Sequence, residues 1–102
     1  MRTKAKRDAI EPDVVAHLEA IGVQVFRLSD PGGPDLLCYD PRARTLHRYA
    51  REFTDDGTWL PIECKSGKAG RLTEAQTKAR RTMPWPVCRS VAEALQLFGV
   101  TA

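Results

Sequence analysis

Pro34-Asp35 and, 28 residues after Asp35, Glu63-Cys64-Lys65 supply two carboxylates and a lysine. That is the set of groups needed to hold Mg²⁺ against a phosphodiester. Carboxylate oxygens suit a hard cation, and an ammonium group stabilises the charge that develops on phosphate. Side chains on a strand alternate faces with a period of two. Glu63 and Lys65 therefore project together, and Cys64 points the other way, into the core with Leu60 and Ile62. A third acid joins them by helix phasing. At 100° per residue, Glu11 falls within about 60° of Val14, Val15 and Leu18, on the stripe a helix buries. A carboxylate there is costly unless it is paired or bound to a cation; the alternative is a first-turn acid serving the helix dipole. Glu19 lies on the flank of that stripe and Asp13 on its far side. His17, on a helix flank, and His47 are weak candidates for a catalytic base.

These groups need a scaffold to hold them. Ile10, Val14, Leu18 and Ile21 recur at helical spacing, which predicts a helix from about Asp8–Pro12 to Ala20. Gly22 supplies its stop, and Pro12 requires a start close by. Val23–Leu28 alternates as a strand. Asp30-Pro31-Gly32-Gly33-Pro34 is a turn, and Asp35–Tyr39 is a second strand, ended by Asp40-Pro41. Thr58–Lys65 is a third, followed by the loop Ser66–Gly70. Thr73-Glu74-Ala75-Gln76 fits a capping box opening a helix to about Met83, which Pro84-Trp85-Pro86 breaks. Val87–Arg89 is a short strand. Ser90-Val91-Ala92-Glu93 is a second capping box, opening a terminal helix through Leu95 and Phe98.

Residues 41–57 suit helix and strand about equally. A middle strand there would make the strands at 35–39 and 58–65 parallel and place Asp35 and Glu63 at opposite ends of the sheet. For the carboxylates to meet, those two strands must pair antiparallel. Residues 41–57 are then an excursion beyond the hairpin, with Asp55-Asp56-Gly57 as the turn on its far side.

Composition sets the bounds. The 102 residues suffice for one domain, and 42% hydrophobic with 28% charged content is that of an ordinary globular protein. No apolar run approaches the ~20 residues a membrane span needs. The basic start, Met1–Arg7, is not followed by the apolar core of a signal peptide, so the protein is expected to stay in the cytoplasm. The net charge of +3 says little. Its distribution says more: basic residues gather at Arg2–Arg7, Arg42–Arg51, Lys65–Arg71 and Lys78–Arg81, patches able to track a phosphate backbone or simply to be solvated. Cys38, Cys64 and Cys88 lack the paired spacing of a zinc site and read as reduced, buried structural residues.

Helix with Glu11, strand, Pro34-Asp35 strand, Glu63-Cys64-Lys65 strand, helix, strand is an α-β-β-β-α-β order. It resembles the PD-(D/E)xK nuclease superfamily, and within it the virus-type replication-repair nuclease (VRR-NUC) family of small phage-encoded and repair nucleases. The resemblance rests on Glu11 upstream of Gly22, Gly33-Pro34-Asp35-Leu36-Leu37, Ile62-Glu63-Cys64-Lys65, Gly70-Arg71-Leu72-Thr73 with Gln76, and the Pro86–Ala92 segment. It implies a restriction-endonuclease-like α/β fold, with a mixed sheet flanked by helices, and a phage or bacterial origin. It also implies a Mg²⁺- or Mn²⁺-dependent DNA endonuclease, selective for branched or four-way junction DNA and acting as a homodimer. Asp35 and Glu63 would be the central metal ligands, completed by Glu11 and the Cys64 backbone carbonyl. Lys65 would orient the attacking water or stabilise developing charge. Gln76 would stand near the active site, besides its part in the capping box. Lys68, Arg71 and Lys78 would contact DNA phosphates. Two other classes compete: a non-catalytic DNA-binding module on the same fold, and a small α/β interaction domain whose acids only cap and solvate.

Overall fold

Pro12 allows a helix to begin only within a turn of itself, and α1 spans Glu11–Ala20 with the proline in its first turn. The computed structural model describes residues 7–30, 32–41, 52–54, 57–66, 71–82 and 84–100. After α1 come β1 (Gln24–Arg27), β2 (Leu36–Asp40), β3 (Glu52–Thr54), β4 (Gly57–Cys64), α2 (Glu74–Thr82), β5 (Val87–Cys88) and α3 (Val91–Leu97). The result is an α/β fold with a mixed sheet.

Helix boundaries follow their local chemistry. Asp8 opens α1, its carboxylate accepting the Ile10 N–H at 3.1 Å and its carbonyl the Glu11 N–H at 3.1 Å. Gly22, at φ 94, takes the left-handed position that closes the helix. At α2 the capping box is reciprocal. Thr73 Oγ1 accepts the Gln76 N–H at 3.1 Å, and Gln76 Oε1 accepts the Thr73 N–H at 3.0 Å. At α3, Ser90 Oγ accepts the Glu93 N–H at 3.1 Å, but Glu93 Oε1 reaches the Arg89 N–H at 3.0 Å, one residue before the expected partner.

The sheet runs β1-β2-β4-β3, and β5 joins β4 off that path. β1 with β2, β2 with β4 and β3 with β4 are antiparallel, and β4 with β5 is parallel. The direct antiparallel pairing of β2 with β4, required if Asp35 and Glu63 are to meet, is present. The stretch 41–57 differs from expectation in one respect. Glu52–Thr54 belongs to the sheet, pairing antiparallel with the start of β4 through Glu52↔Trp59, Phe53↔Thr58 and Thr54↔Gly57. A strand can enter here without separating β2 from β4 because it takes the other edge of β4. The expected turn residues Asp55 and Asp56 lie outside the described residues, as do 42–51.

One face of the sheet forms the core. Leu36 and Cys38 of β2 and Leu60, Ile62 and Cys64 of β4 are fully buried against Val14 and Leu18 of α1, with Cys88, Ala94 and Phe98. α1 packs on α3 and β1, and α3 on β5. The three cysteines are free and buried within this layer, as their strand positions predict. Among the described residues no helix is long and apolar enough to cross a membrane.

Candidate active site

Asp35 lies one residue before β2, yet the ladder continues through it: the Leu28 N–H donates to the Asp35 carbonyl at 2.8 Å. The β2–β4 register ends at Leu36↔Ile62, so its next rung sets Asp35 opposite Glu63. Directly opposed residues share a face. The carboxylates of Asp35 and Glu63 therefore belong to the side of the sheet away from α1 and α3, at one end of the strand pair. Asp35 Oδ2 accepts the Cys64 N–H at 2.8 Å, tying this side chain to β4. On the other edge of β4, the Glu63 N–H donates to Pro86 O and the Lys65 N–H to Cys88 O, both at 3.0 Å. The ladder thus extends through Lys65, and alternation gives Lys65 the face of Glu63 and Cys64 the core. Both acids are buried, Asp35 at 5% and Glu63 at 0% exposure.

Glu11, 1% exposed, sits on the buried stripe as helix phasing requires. Its Oε2 lies 3.0 Å from Arg7 Nε and 3.4 Å from Arg27 Nε. Arg7 also donates from Nη1 to the Leu28 carbonyl at 2.7 Å. Next to them, Asp8 accepts hydrogen bonds from the Ser66 N–H at 2.9 Å and from the Ser66 hydroxyl. Burial alone would raise the Asp8 pKa. The Ser66 and Ile10 hydrogen bonds and the Lys65 charge outweigh it and hold the carboxyl below its ordinary range.

Cys64 is itself fully buried. Burial pushes its pKa up first, and the negative charges of Asp35, Glu11 and Glu63 push it the same way. Burial also raises Cys38, and raises Cys88 to about 12. All three thiols stay protonated at neutral pH, which fits a packing role and not a nucleophilic one.

Gln76 is buried at the start of α2, and its side-chain oxygen is committed to the capping box. Arg71 and Lys78 are exposed. Lys78 lines a cleft of about 800 Å³ between α2 and the loop that leads into Asp35, with Leu28, Pro34, Ala75, Ala79 and Trp85 among its walls. Lys68 and His47 lie outside the described residues. His17 is exposed, its Nδ1 2.8 Å from the Asp13 carbonyl.

Arg7, Arg27, Asp8 and Ser66 are absent from the site as read from sequence. A signal for the arginines was there. Arg7 precedes Glu11 by one helical turn, and Arg27 shares the strand phase of Val23 and Val25, which turns it toward α1. The Asp8–Ser66 contact spans 58 positions of sequence and has no local signature.

Asp35 and Glu63 offer hard oxygen donors from neighbouring strands. This suits Mg²⁺, which is often held by one or two carboxylates and keeps several waters. Among the described residues no three His, Cys, Asp or Glu side chains form a group that could hold a metal ion. Asp35 and Glu63 are the two carboxylates that the strand register brings together. Compared with models of known families, with curated proteins and with solved structures, the chain matches none.

Proposed function

We propose that the chain is a metal-dependent nuclease that hydrolyses phosphodiester bonds in DNA. One observation carries this reading: Asp35 and Glu63, both buried, stand opposite each other on the same face of an antiparallel strand pair, with Lys65 two residues on. Burying two carboxylates side by side is expensive unless a cation offsets their charge. In this reading Asp35 and Glu63 hold Mg²⁺ or Mn²⁺. The bound cation lowers the pKa of its water and neutralises charge on phosphate. The Cys64 N–H fixes the orientation of Asp35 through Oδ2. Lys65 orients the attacking water or stabilises the negative charge that builds on the phosphate oxygens while water adds to phosphorus and the P–O bond to the leaving strand breaks. Arg71, Lys78 and Lys68 contact neighbouring phosphates, and Gln76 caps the start of α2.

The finer assignment is membership in the VRR-NUC family, a restriction-endonuclease-like core, and action on branched or four-way junction DNA by a homodimer in the cytoplasm of a bacterial cell or its phage. It rests on the motif resemblance. Engagement of Glu11 by two arginines favours one competing reading, a DNA-binding module without catalysis. A cleavage panel separates the two. Duplex, flap, nicked and four-way junction DNA are incubated with the protein and Mg²⁺ or Mn²⁺, and with EDTA. The nuclease reading expects cleavage of at least one substrate, stopped by EDTA and by Asp35→Asn. Binding without cleavage under every condition sinks it.

A further inference from the structure

We infer that Glu11 is a positioning residue that presents Arg7 and Arg27 to a backbone phosphate next to the one being cut, and that it is not a ligand of the cation. The inference rests on the nuclease reading and assigns that site a phosphate contact from the α1 side. Glu11 is 1% exposed at its side chain, whereas Arg7 is 30% and Arg27 52% exposed. The carboxylate is out of reach of solvent while the guanidinium groups it holds are within reach. Each guanidinium has five N–H donors in a rigid fork. Glu11 engages the Nε of each, and Leu28 O takes one Nη1 donor of Arg7. The remaining Nη donors suit the forked, charge-assisted bonding that phosphate accepts. With two positive charges against one negative, the trio keeps a net positive charge.

Its location ties it to the acids. Leu28 accepts from Arg7 through its carbonyl and donates to the Asp35 carbonyl through its N–H. One residue therefore links the arginine trio to the strand that carries Asp35. Both guanidinium groups lie against the same oxygen of that carboxylate, Oε2, so its negative charge is already offset by two cationic side chains. Stability alone is a weak reason for such a trio, because desolvation offsets most of what a buried ion pair gains.

The test uses the full chain, a fluorescein-labelled splayed-arm DNA in EDTA, and Mn²⁺ binding to the protein without DNA. If Glu11 positions the arginines, Arg27→Ala lowers the slope of log K against log salt by about 0.9, the share of one phosphate, and weakens binding roughly tenfold. Arg27→Lys keeps most of that slope because it keeps the charge. Glu11→Gln weakens DNA binding by a similar factor and leaves the Mn²⁺ isotherm within about twofold of wild type, whereas Asp35→Asn abolishes Mn²⁺ binding. An unchanged salt slope in Arg27→Ala overturns the phosphate contact. Loss of Mn²⁺ affinity in Glu11→Gln equal to that in Asp35→Asn overturns the positioning role and makes Glu11 a ligand. Should Glu11→Gln not fold, the half-exposed Arg27 variants still decide on the slope. Retained Mn²⁺ binding and cleavage in Asp35→Asn defeats the nuclease reading by itself and leaves the arginine result intact.

Discussion

β2 and β4 contribute alternate residues to two very different surfaces. Leu36, Cys38, Leu60, Ile62 and Cys64 face α1 and α3 and are fully buried. The opposite face carries Asp35 and Glu63 at one end and Leu37, Tyr39, Trp59 and Pro61 further along. There Trp59 lies 4.8 Å from Tyr39 and stacks on the half-exposed Phe26 at 6.3 Å between ring centroids. The same backbone thus carries a packing layer and a layer that holds the two acids, one residue apart. Substitutions on the core face should cost stability and spare any activity. On the acidic face they should cost activity and spare stability.

The sharpest break of this contrast is Asp35→Asn. Asparagine keeps an acceptor for the Cys64 N–H, so the fold should hold within about 1 kcal/mol. Under the nuclease reading, cleavage should fall by roughly 10³-fold, equivalent to about 4 kcal/mol of transition-state stabilisation. Chemical melts beside single-turnover rates measure both, and a large stability loss with intact cleavage would reverse the roles of the faces. Leu60→Ala is the mirror experiment. The side chain is fully buried, so unfolding should become easier by about 3 kcal/mol, with the cleavage rate unchanged well below the new melting temperature.

Smaller effects test the borders between the layers. Thr73→Ala removes one half of the α2 capping box and should cost about 1 kcal/mol. The Gln76 side chain keeps its partner, the Thr73 backbone N–H, so a cleavage rate measured on fully folded protein should change little in this variant. Asp8 supplies the smallest and pH-dependent effect. Its folded pKa lies below the ordinary carboxylate value of 3.8. Its contribution is therefore fully present above that value and is lost as pH falls through the folded pKa. Between pH 6 and pH 3, Asp8→Asn should lose less stability than wild type; equal losses in urea melts at the two pH values would remove Asp8 from the acid-side balance.

Much of the fold was legible because its signals are local. Pro12 and Gly22 bracket α1, Thr73 and Gln76 cap α2, and the alternation Leu60-Ile62-Cys64 marks the buried side of β4. Even the antiparallel pairing of β2 with β4 followed from requiring Asp35 and Glu63 to meet. The stretch 41–57 was harder. Helix and strand spacing coincide there, and an edge strand as short as Glu52–Thr54 needs only one partner, so neither its type nor its edge is written in its own residues.

Residue types and periodicity determined by themselves which side chains share a face: Asp35 and Glu63 with Lys65, Cys64 toward the core, Glu11 on the buried stripe of α1. Such facts depend on backbone geometry that repeats every two or 3.6 residues. What surrounds those side chains depended on tertiary structure. Arg27 meets Glu11 from another element, Asp8 reaches Ser66 across 58 positions, and Arg7 and Leu28 close the gap between α1 and the strand leading to Asp35. Ion pairs of this kind form wherever the packed elements bring charges together, and no local repeat in the chain encodes which partner a buried carboxylate will find.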